Sequence, residues 1–531
     1  MWPVASIHPA ALTPTTDWVV DPVSVLRERF GYPAFRPGQE ELVRAVLSGR
    51  DALGILPTGG GKSVCYQVPA LMLGGMTLVV SPLVSLMSDQ VDRARRAGLT
   101  ADRLTADRTA ADREQVVALA RAGRLQLLLV SPERLATPRF RAVLRELPLA
   151  LLAVDEAHCI SEWGHDFRPS YLELGELRAV HPCPVIALTA SATPRVRAEI
   201  ARVLRLEDPV RVVGSFDRPN LAWHVVATKG VPGKRAALRA LVRDGTAGGG
   251  TVLVYAGTRR GVEAVRDDLA ALGHRCEAYH AGLEPDERAR VQADFMAGRA
   301  PLVVATNAFG MGVDRADVRL VVHWQLPGSL EGYYQEAGRA GRDGSPARCV
   351  ALHDPDDAGL HAGFVDRTHP PAAALHRLLG ALARSAGSGR VARSTLTELA
   401  RAAGDLAPGA AAAGLRDLVA CAALRPLVPL PDPEEADGPA GAGEIVAHLP
   451  RGPVDLGPAR RLRDTALARV SSVHAFARVR GCRRRHILAH FGEELAVPCG
   501  GCDRCHEADL GIPGARPPRF SLRRWASSFS A

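Results

Sequence analysis

Lysine is nearly missing from this chain: of 66 basic residues only Lys62, Lys229 and Lys234 are lysines. A coding bias toward arginine would produce this, and it makes each surviving lysine worth separate attention. Long apolar runs are missing too. No stretch approaches the roughly 18 apolar residues of a membrane span, and the start, MWPVASIHPA, lacks the basic residue and apolar run of an export leader. A cytoplasmic chain with no membrane partner is expected. Nor are the cysteines spread as in a small secreted disulfide scaffold. Six of the ten are scattered, while Cys482, Cys499, Cys502 and Cys505 cluster, which fits a reducing compartment and one metal site.

What is present is a 531-residue chain with 47% hydrophobic residues, too long for one ordinary core and too apolar for disorder, so two to four domains are expected. A net charge of +9 favours a polyanionic partner without requiring one. Between residues 51 and 192 the runs DALGIL, MTLVVS, LQLLLVS, LALLAVDE and PVIALTAS read as buried parallel strands, each followed by a loop and a helical pattern. Residues 250–354 repeat the rhythm with TVLVYAG, CEAYHAG, PLVVATN, VRLVVHW and ARCVALHD. Two doubly wound α/β lobes follow from this.

Past Pro371 the pattern changes. Leu375, Leu378, Leu379 and Leu382 recur at helical spacing, Thr395 with Glu398 forms a capped start, and a third helix would bury Leu415, Leu418 and Val419. Strand-like pieces at 427–430 and 445–449 flank the linker PDPEEADGPAGAG. Three helices and a hairpin make a winged-helix pattern; a helical spacer without DNA contact is the alternative.

TGGGKS at 58–63 follows a strand. Backbone N–H groups of Thr58, Gly59, Gly60 and Gly61 can cradle phosphates at a helix start, with Lys62 on the β- and γ-phosphates and Ser63 on magnesium. Asp155 and Glu156 end a later strand, Asp155 to hold magnesium and Glu156 to activate water. Gln39, in FRPGQE, offers one donor and one acceptor to an adenine edge. Arg339 and Arg342, three apart in YQEAGRAGR and so on one face, can reach a transferred phosphate across a cleft.

The wider pattern resembles the RecQ helicases of superfamily 2 over about 25–355 and again over 460–505. It comprises FRPGQE (35–40), TGGGKS (58–63), SPLVSLMSDQ (81–90), SPERL (131–135), DEAH (155–158), CISEWGHDFRPSY (159–171), ALTASAT (187–193), AYHAGL (278–283), VVATNAFGMGVD (303–314) and YYQEAGRAGRDG (333–344). DEAH alone is shared with RNA helicases; the aromatic-rich loop after it is not. Leu56 stands where the general phosphate-loop pattern has glycine, a departure superfamily 2 shares.

The resemblance implies two RecA-like lobes and ATP hydrolysis coupled to 3′ to 5′ movement on single-stranded DNA, in repair or recombination. It implies Tyr32, Arg36 and Gln39 on adenine and Asp314 near ribose. Trp163, Phe167 and Arg168 would sense DNA, with Ser81, Ser131, Arg134 and Thr306 as further DNA contacts, and Ser191, Ala192 and Thr193 would couple hydrolysis to lobe movement. An exposed aromatic beside arginine also suits stacking on single strands, although plain core is the other reading of Trp163 and Phe167. An RNA helicase or a translocase that does not separate strands stays open. A motor without activity does not fit, since no engine residue is replaced.

Four thiolates at the spacing 16, 2 and 2 complete a tetrahedral structural Zn²⁺ shell; an iron–sulfur cluster is the alternative. CRRRHILAHFGEE and CGGCDRC resemble the helical zinc subdomain of RecQ proteins. The adjacent Arg478, Arg480, Arg483, Arg484 and Arg485 suit either DNA backbone or a solvated face. RecQ proteins commonly place a winged helix after the zinc; here the candidate precedes it and 26 residues follow Cys505. The expected plan is a flexible tail (1–24), an ATP-binding lobe (25–215), a second lobe (216–355), a winged-helix-like insert (366–452), a zinc subdomain (456–508) and a tail (509–531). ATP, Mg²⁺ and Zn²⁺ are the expected cofactors. Single-stranded and forked DNA is the expected substrate, single-strand-binding or repair proteins are candidate partners, and a nucleoid-associated monomer is expected.

Overall fold

Apolar runs too short for helices pair edge to edge into two parallel sheets. The computed structural model describes residues 20–505 except 58, 83, 106–107, 136, 163, 165–167, 247–248, 311–314, 388, 429, 431–443, 451 and 496–498. Thr58, Trp163, Phe167 and Asp314 thus lie outside the described residues. A helix at Pro22–Phe30 begins ahead of the boundary expected at 25.

The first lobe holds β1 (Ala52–Ile55), β2 (Met76–Val80), β3 (Ala101–Leu104), β4 (Leu127–Val130), β5 (Leu149–Val154), β6 (Val185–Thr189) and β7 (Val210–Val213), in the order β3-β4-β2-β5-β6-β1-β7. All neighbours are parallel, for example Leu53 opposite Ala187. Its central strands are buried on both faces, as helices on either side require. Helix α1 (Gln39–Leu47) lies on β1 and α2 (Val64–Met72) follows the phosphate loop. Gly54 sets the approach of α1: a Cβ there would stand 2.6 Å from Leu42 Cδ1 and 2.7 Å from Leu188 Cδ2. Both leucines are fully buried. Gly54→Ala is therefore expected to lower stability by about 1–3 kcal/mol through overpacking, read as a shift in the denaturant midpoint; an unchanged midpoint would mean α1 can move outward freely.

The second lobe is β8 (Leu221–Ala227), β9 (Thr251–Tyr255), β10 (Cys276–Tyr279), β11 (Leu302–Ala305), β12 (Val318–His323) and β13 (Ala347–His353). They form a parallel sheet in the order β10-β11-β9-β12-β13-β8. Helix α3 (Pro194–Val203) belongs to the first lobe and α4 (Leu330–Ala337) to the second, and Gln335 of α4 reaches Ser191 just ahead of α3.

Helix α5 (Asp357–Thr368) leads into the insert. There α6 (Ala372–Ala386), β14 (Val391–Thr395), α7 (Leu396–Ala402), α8 (Pro408–Ala420), β15 (Arg425–Pro426) and β16 (Glu444–His448) give the winged-helix order, with an antiparallel sheet β14-β16-β15. The capping box of Thr395 and Glu398 is formed. Among the described residues the first hairpin strand starts earlier than the expected 427–430, with Arg425 and Pro426 paired to β16 and Leu427 N donating to Val446 O at 2.8 Å. Helix α8, which such modules turn toward a DNA groove, is buried along most of its length and packs on α5 and on α9 (Gly457–Arg478). Its alanines (Ala410–Ala413) make that close packing feasible.

The zinc-module helices are α9 and α10 (Arg483–His490). Among the described residues no helix is long and apolar enough to cross a membrane.

Candidate nucleotide site and cysteine cluster

The chain leaves β1 at Ile55 and turns through 57–63 into α2. Gly61 takes φ +70°, a conformation that strains any other residue, and a Cβ there would stand 3.0 Å from Gln39 Nε2 and crowd that amide. Gln39 Nε2 donates to Gly60 O (2.8 Å) and Gly61 O (3.0 Å), and its Oε1 accepts from Arg36 N at 2.8 Å. The Arg36 guanidinium donates to Gly59 O. Two residues assigned to adenine therefore brace the phosphate loop, while Tyr32 stands half exposed beside them in sequence. Ser63 opens α2 without a side-chain capping bond, which leaves its hydroxyl available as a ligand.

Asp155 follows β5 and is buried; Glu156 takes the left-handed backbone conformation, φ 46° and ψ 47°. Such a turn costs a non-glycine residue free energy, and here it aims the carboxylate back at the loop. Lys62 Nζ lies 3.3 Å from Glu156 Oε1. Burial and the Glu156 charge push the Asp155 pKa up. At Glu156 burial acts upward too, but the Lys62 charge and His158 outweigh it and hold this carboxyl well below the usual range. Of the pair, Glu156 keeps the negative charge a base needs.

A polar chain runs from this pair to the other lobe. His158 Nδ1 lies 3.3 Å from Glu156 Oε2 and 2.8 Å from Thr189 Oγ1, which accepts from Ser191 N at 3.3 Å. Ser191 Oγ in turn accepts from Gln335 Nε2 on α4 at 2.6 Å. Thr193 caps α3 through Val196 N, and Ala192 O accepts from Arg197 Nε at 2.9 Å.

Arg339 and Arg342 are not on a helix face, as their spacing suggested. Helix α4 ends at Ala337, with Gly338 at its end, so both sit in the following turn. Their places differ. Arg342 crosses the cleft: a Cβ at Gly59 would stand 3.7 Å from its Cδ and 3.8 Å from its Nε. Arg339 is buried within lobe 2, packed against Gly310 and Tyr255.

Ser81, Ser131 and Thr306 stand just past β2, β4 and β11. The serines are buried and Thr306 half-buried. Arg134 is half-buried over the Phe140 ring, and Arg168 Nη1 reaches Glu133 Oε1 at 3.3 Å. The aromatic-rich segment returns to the nucleotide side, since the Tyr171 hydroxyl donates to Asp155 O at 3.1 Å.

The Sγ atoms of Cys482, Cys499, Cys502 and Cys505 all lie within 4.8 Å of one another, and those of Cys482 and Cys502 are 3.9 Å apart. Zn–S bonds of about 2.3 Å place tetrahedral sulfurs about 3.8 Å apart, so four thiolates at these separations fit zinc. The cluster docks on the edge strand β8: Trp223 N donates to Gly501 O at 3.0 Å and Asp503 N to Trp223 O at 3.1 Å. Two of the five clustered arginines neither face solvent nor stand open to DNA. Arg483 is buried and paired with Asp503 at 3.0 Å through both Nε and Nη2, and Arg484 is buried against Asp217 and Cys499 O. Glu493 also holds the segment between the lobes, accepting from Ser215 Oγ at 2.5 Å and Phe216 N at 2.6 Å. Gln335, Arg484 and Glu493 lay inside quoted motifs without these roles; Arg197 carried no sequence signal.

Family profiles follow the same order: DEAD/DEAH box helicase over residues 36–200, helicase conserved C-terminal domain over 233–344, and RecQ zinc-binding over 455–506. The ATP-dependent DNA helicase RecQ of Pasteurella multocida is 45% identical over 351 residues, 66% of this chain and 55% of that protein. The probable ATP-dependent DNA helicase RecS of Bacillus subtilis is 40% identical over 343 residues, 64% of this chain and 68% of that protein. The match thus spans little more than half the length of the Pasteurella relative. A solved structure of the DUF1998 helicase MrfA bound to DNA shares the fold, with TM-score 0.53 at 19% identity over 64% of this chain and 52% of that one. With both lobes matched at this identity and the zinc-binding profile falling on the four clustered thiols, the chain belongs to the RecQ family of ATP-dependent DNA helicases.

Proposed function

We propose that the chain is an ATP-dependent DNA helicase that moves 3′ to 5′ on single-stranded DNA and separates duplex ahead of it, in DNA repair or recombination. The observation that carries this reading is Arg342 of lobe 2 standing beside Gly59 of the lobe 1 phosphate loop, so that one phosphate site is built from both lobes. A nucleotide that binds the closed cleft better than the open one drives closure, and its hydrolysis allows reopening.

In this reading Tyr32, Arg36 and Gln39 hold adenine and Asp314 the ribose region. The backbone of Thr58, Gly59, Gly60 and Gly61 cradles the phosphates, and Lys62 leaves Glu156 to pair with them. The uncapped Ser63 hydroxyl and the buried Asp155 carboxylate are hard oxygen donors, a set that fits Mg²⁺. The ion would neutralise charge on the β- and γ-phosphates. Glu156, held ionised, orients the attacking water. Arg342 meets the transferred phosphate. Arg339 supports that turn from within lobe 2 and reaches the phosphate only if closure moves it. Ser81, Ser131, Arg134, Trp163, Phe167, Arg168 and Thr306 serve the DNA strand; the buried serines need the strand or lobe movement to uncover them. The four cysteines hold a structural Zn²⁺. DNA as substrate puts the working place at the nucleoid in the cytoplasm, as a monomer, with single-strand-binding or repair proteins as recruiting partners.

ATPase assays with DNA and RNA of one sequence separate this reading from an RNA motor. Single-stranded DNA is expected to raise turnover well above RNA; equal or greater stimulation by RNA overturns the DNA assignment.

A further inference from the structure

One side chain of the zinc module touches the aromatic-rich loop, and its helix packs on the helix that leads into the arginine-bearing turn. Arg469 is half-buried midway along α9, and its Nη1 donates to Gly164 O inside the aromatic-rich loop of lobe 1. Gly164 is itself closely held. Gly164 N donates to Ser161 O at 2.8 Å, and a Cβ at Gly164 would stand 2.2 Å from His158 O, so Gly164 is pressed against the DEAH turn.

The Glu331 charge acts against the effect of burial on this guanidinium. Glu331 is buried in the first turn of α4, and its Oε1 lies 2.7 Å from His490 Nε2 on α10. Helix α4 also packs on α9, with the Tyr333 and Phe476 rings 5.0 Å apart. The same short helix carries Gln335 and leads directly into Arg339 and Arg342. A half-buried guanidinium that bonds a loop carbonyl of lobe 1 from a helix packed on α4 of lobe 2 is a costly way merely to fill space. It is an effective way to make two elements move together.

We propose that Arg469 is a positioning residue that joins the DNA-sensing loop of lobe 1 to the arginine-bearing turn of lobe 2, so that displacement of the loop by DNA reaches the phosphate site through the zinc module. The inference rests on the helicase reading above and adds a route that runs outside the direct bond from Gln335 to Ser191. Lifting the loop breaks the bond to Gly164 or draws α9 with it; either way the environment of Glu331 and of α4 changes.

The test is ATP turnover by full-length, zinc-loaded Arg469→Ala, without DNA and with saturating oligothymidine. Basal turnover is expected within about twofold of the parent and oligothymidine affinity within about threefold. The stimulation ratio should fall about tenfold, the scale of an ordinary coupling between sites. Arg469→Lys, which keeps charge and a donor, should recover part of the ratio. Glu331→Gln keeps an acceptor for His490 but loses the charge, and should lower the ratio likewise. The double variant should be no worse than the more affected single one, because both act through one link. If Arg469→Ala does not fold, Glu331→Gln carries the test. An unchanged ratio in either folded variant overturns the proposal, as does equal loss of basal and stimulated turnover. A parent protein that oligothymidine does not stimulate overturns the helicase reading itself, and this inference with it.

Discussion

Lys62→Ala is expected to abolish ATP turnover, by about a thousandfold or more, while leaving DNA binding within a few-fold of the parent. The magnitude follows from removing a preorganised cation from the place where phosphate charge develops, an interaction worth far more in a water-poor cleft than in solution. Lys62 is one of three lysines in a chain with 66 basic residues, and the other two do other work or none at this site. Lys234 is buried and held by Asp357 at 2.7 Å and by Trp324 O at 2.8 Å, whereas Lys229 is exposed in a loop. Where arginine has replaced lysine almost everywhere, retention here points to a compact charge that fits between glycine backbone and Glu156, which a planar guanidinium does not match. The fold should survive, because Lys62 touches neither sheet core and Glu156 can take a proton when its partner is removed. Turnover by malachite-green assay and oligonucleotide anisotropy check both halves. Substantial turnover by Lys62→Ala sinks the assignment of the site.

Cys502→Ser is expected to cost the protein its bound zinc and, with it, much of the cooperative unfolding transition. Structural zinc sites contribute on the order of 10–16 kcal/mol, and Cys502 is fully buried where the knuckle joins β8. The loss should spread. The module secures both lobes: Arg197 Nη2 of α3 donates to Phe491 O at 2.8 Å, Glu493 holds Ser215 and Phe216, and Phe491 stacks on Phe216 at 4.3 Å. Without the metal these contacts lose their anchor, so ATP turnover should fall as well, although the four clustered cysteines are not part of the phosphate loop. Metal analysis and a thermal melt measure the effect. Full zinc content and an unchanged melt in Cys502→Ser contradict the account, and iron with visible absorption in the parent protein would replace zinc by a cluster.

The elements legible in the sequence were those whose signal is local. β1, β2, β4, β5 and β6 are continuous apolar runs because both sheet faces are covered. The capping box at Thr395 is written in two residues, and the four cysteines carry their geometry in their spacing. The strands passed over are those whose composition is mixed. β3 reads ADRL and β7 reads VRVV because each is an edge strand, and β14 reads VARST in a small sheet with one exposed side. β8 carries a buried Trp223 because the zinc knuckle covers its outer edge, a fact known only once residue 502 is beside residue 223.

The same limit applies to the site. Lys62, Asp155 and Glu156 announce themselves by motif. Arginines do not: Arg342 reaches the phosphate loop, Arg339 packs inside lobe 2, and Arg483 and Arg484 are structural, yet all four are charged residues in arginine-rich runs. Which arginine acts depends on where a helix ends, as α4 does at Ala337, and on which carboxylate the fold brings near. The insert carries a parallel lesson. Its order of elements is that of a winged helix, but α8 is buried against α5 and α9, so reading a groove with that helix is not available to it.

The central claim is that ATP hydrolysis drives this chain 3′ to 5′ along DNA and opens duplex. Strand displacement from forked, 3′-tailed and 5′-tailed duplexes, with ATP and with a non-hydrolysable analogue, tests it in one gel. Displacement of forked and 3′-tailed substrates is expected only when ATP can be hydrolysed. Displacement of the 5′-tailed duplex alone, or no displacement of any substrate by protein that hydrolyses ATP, would contradict the claim.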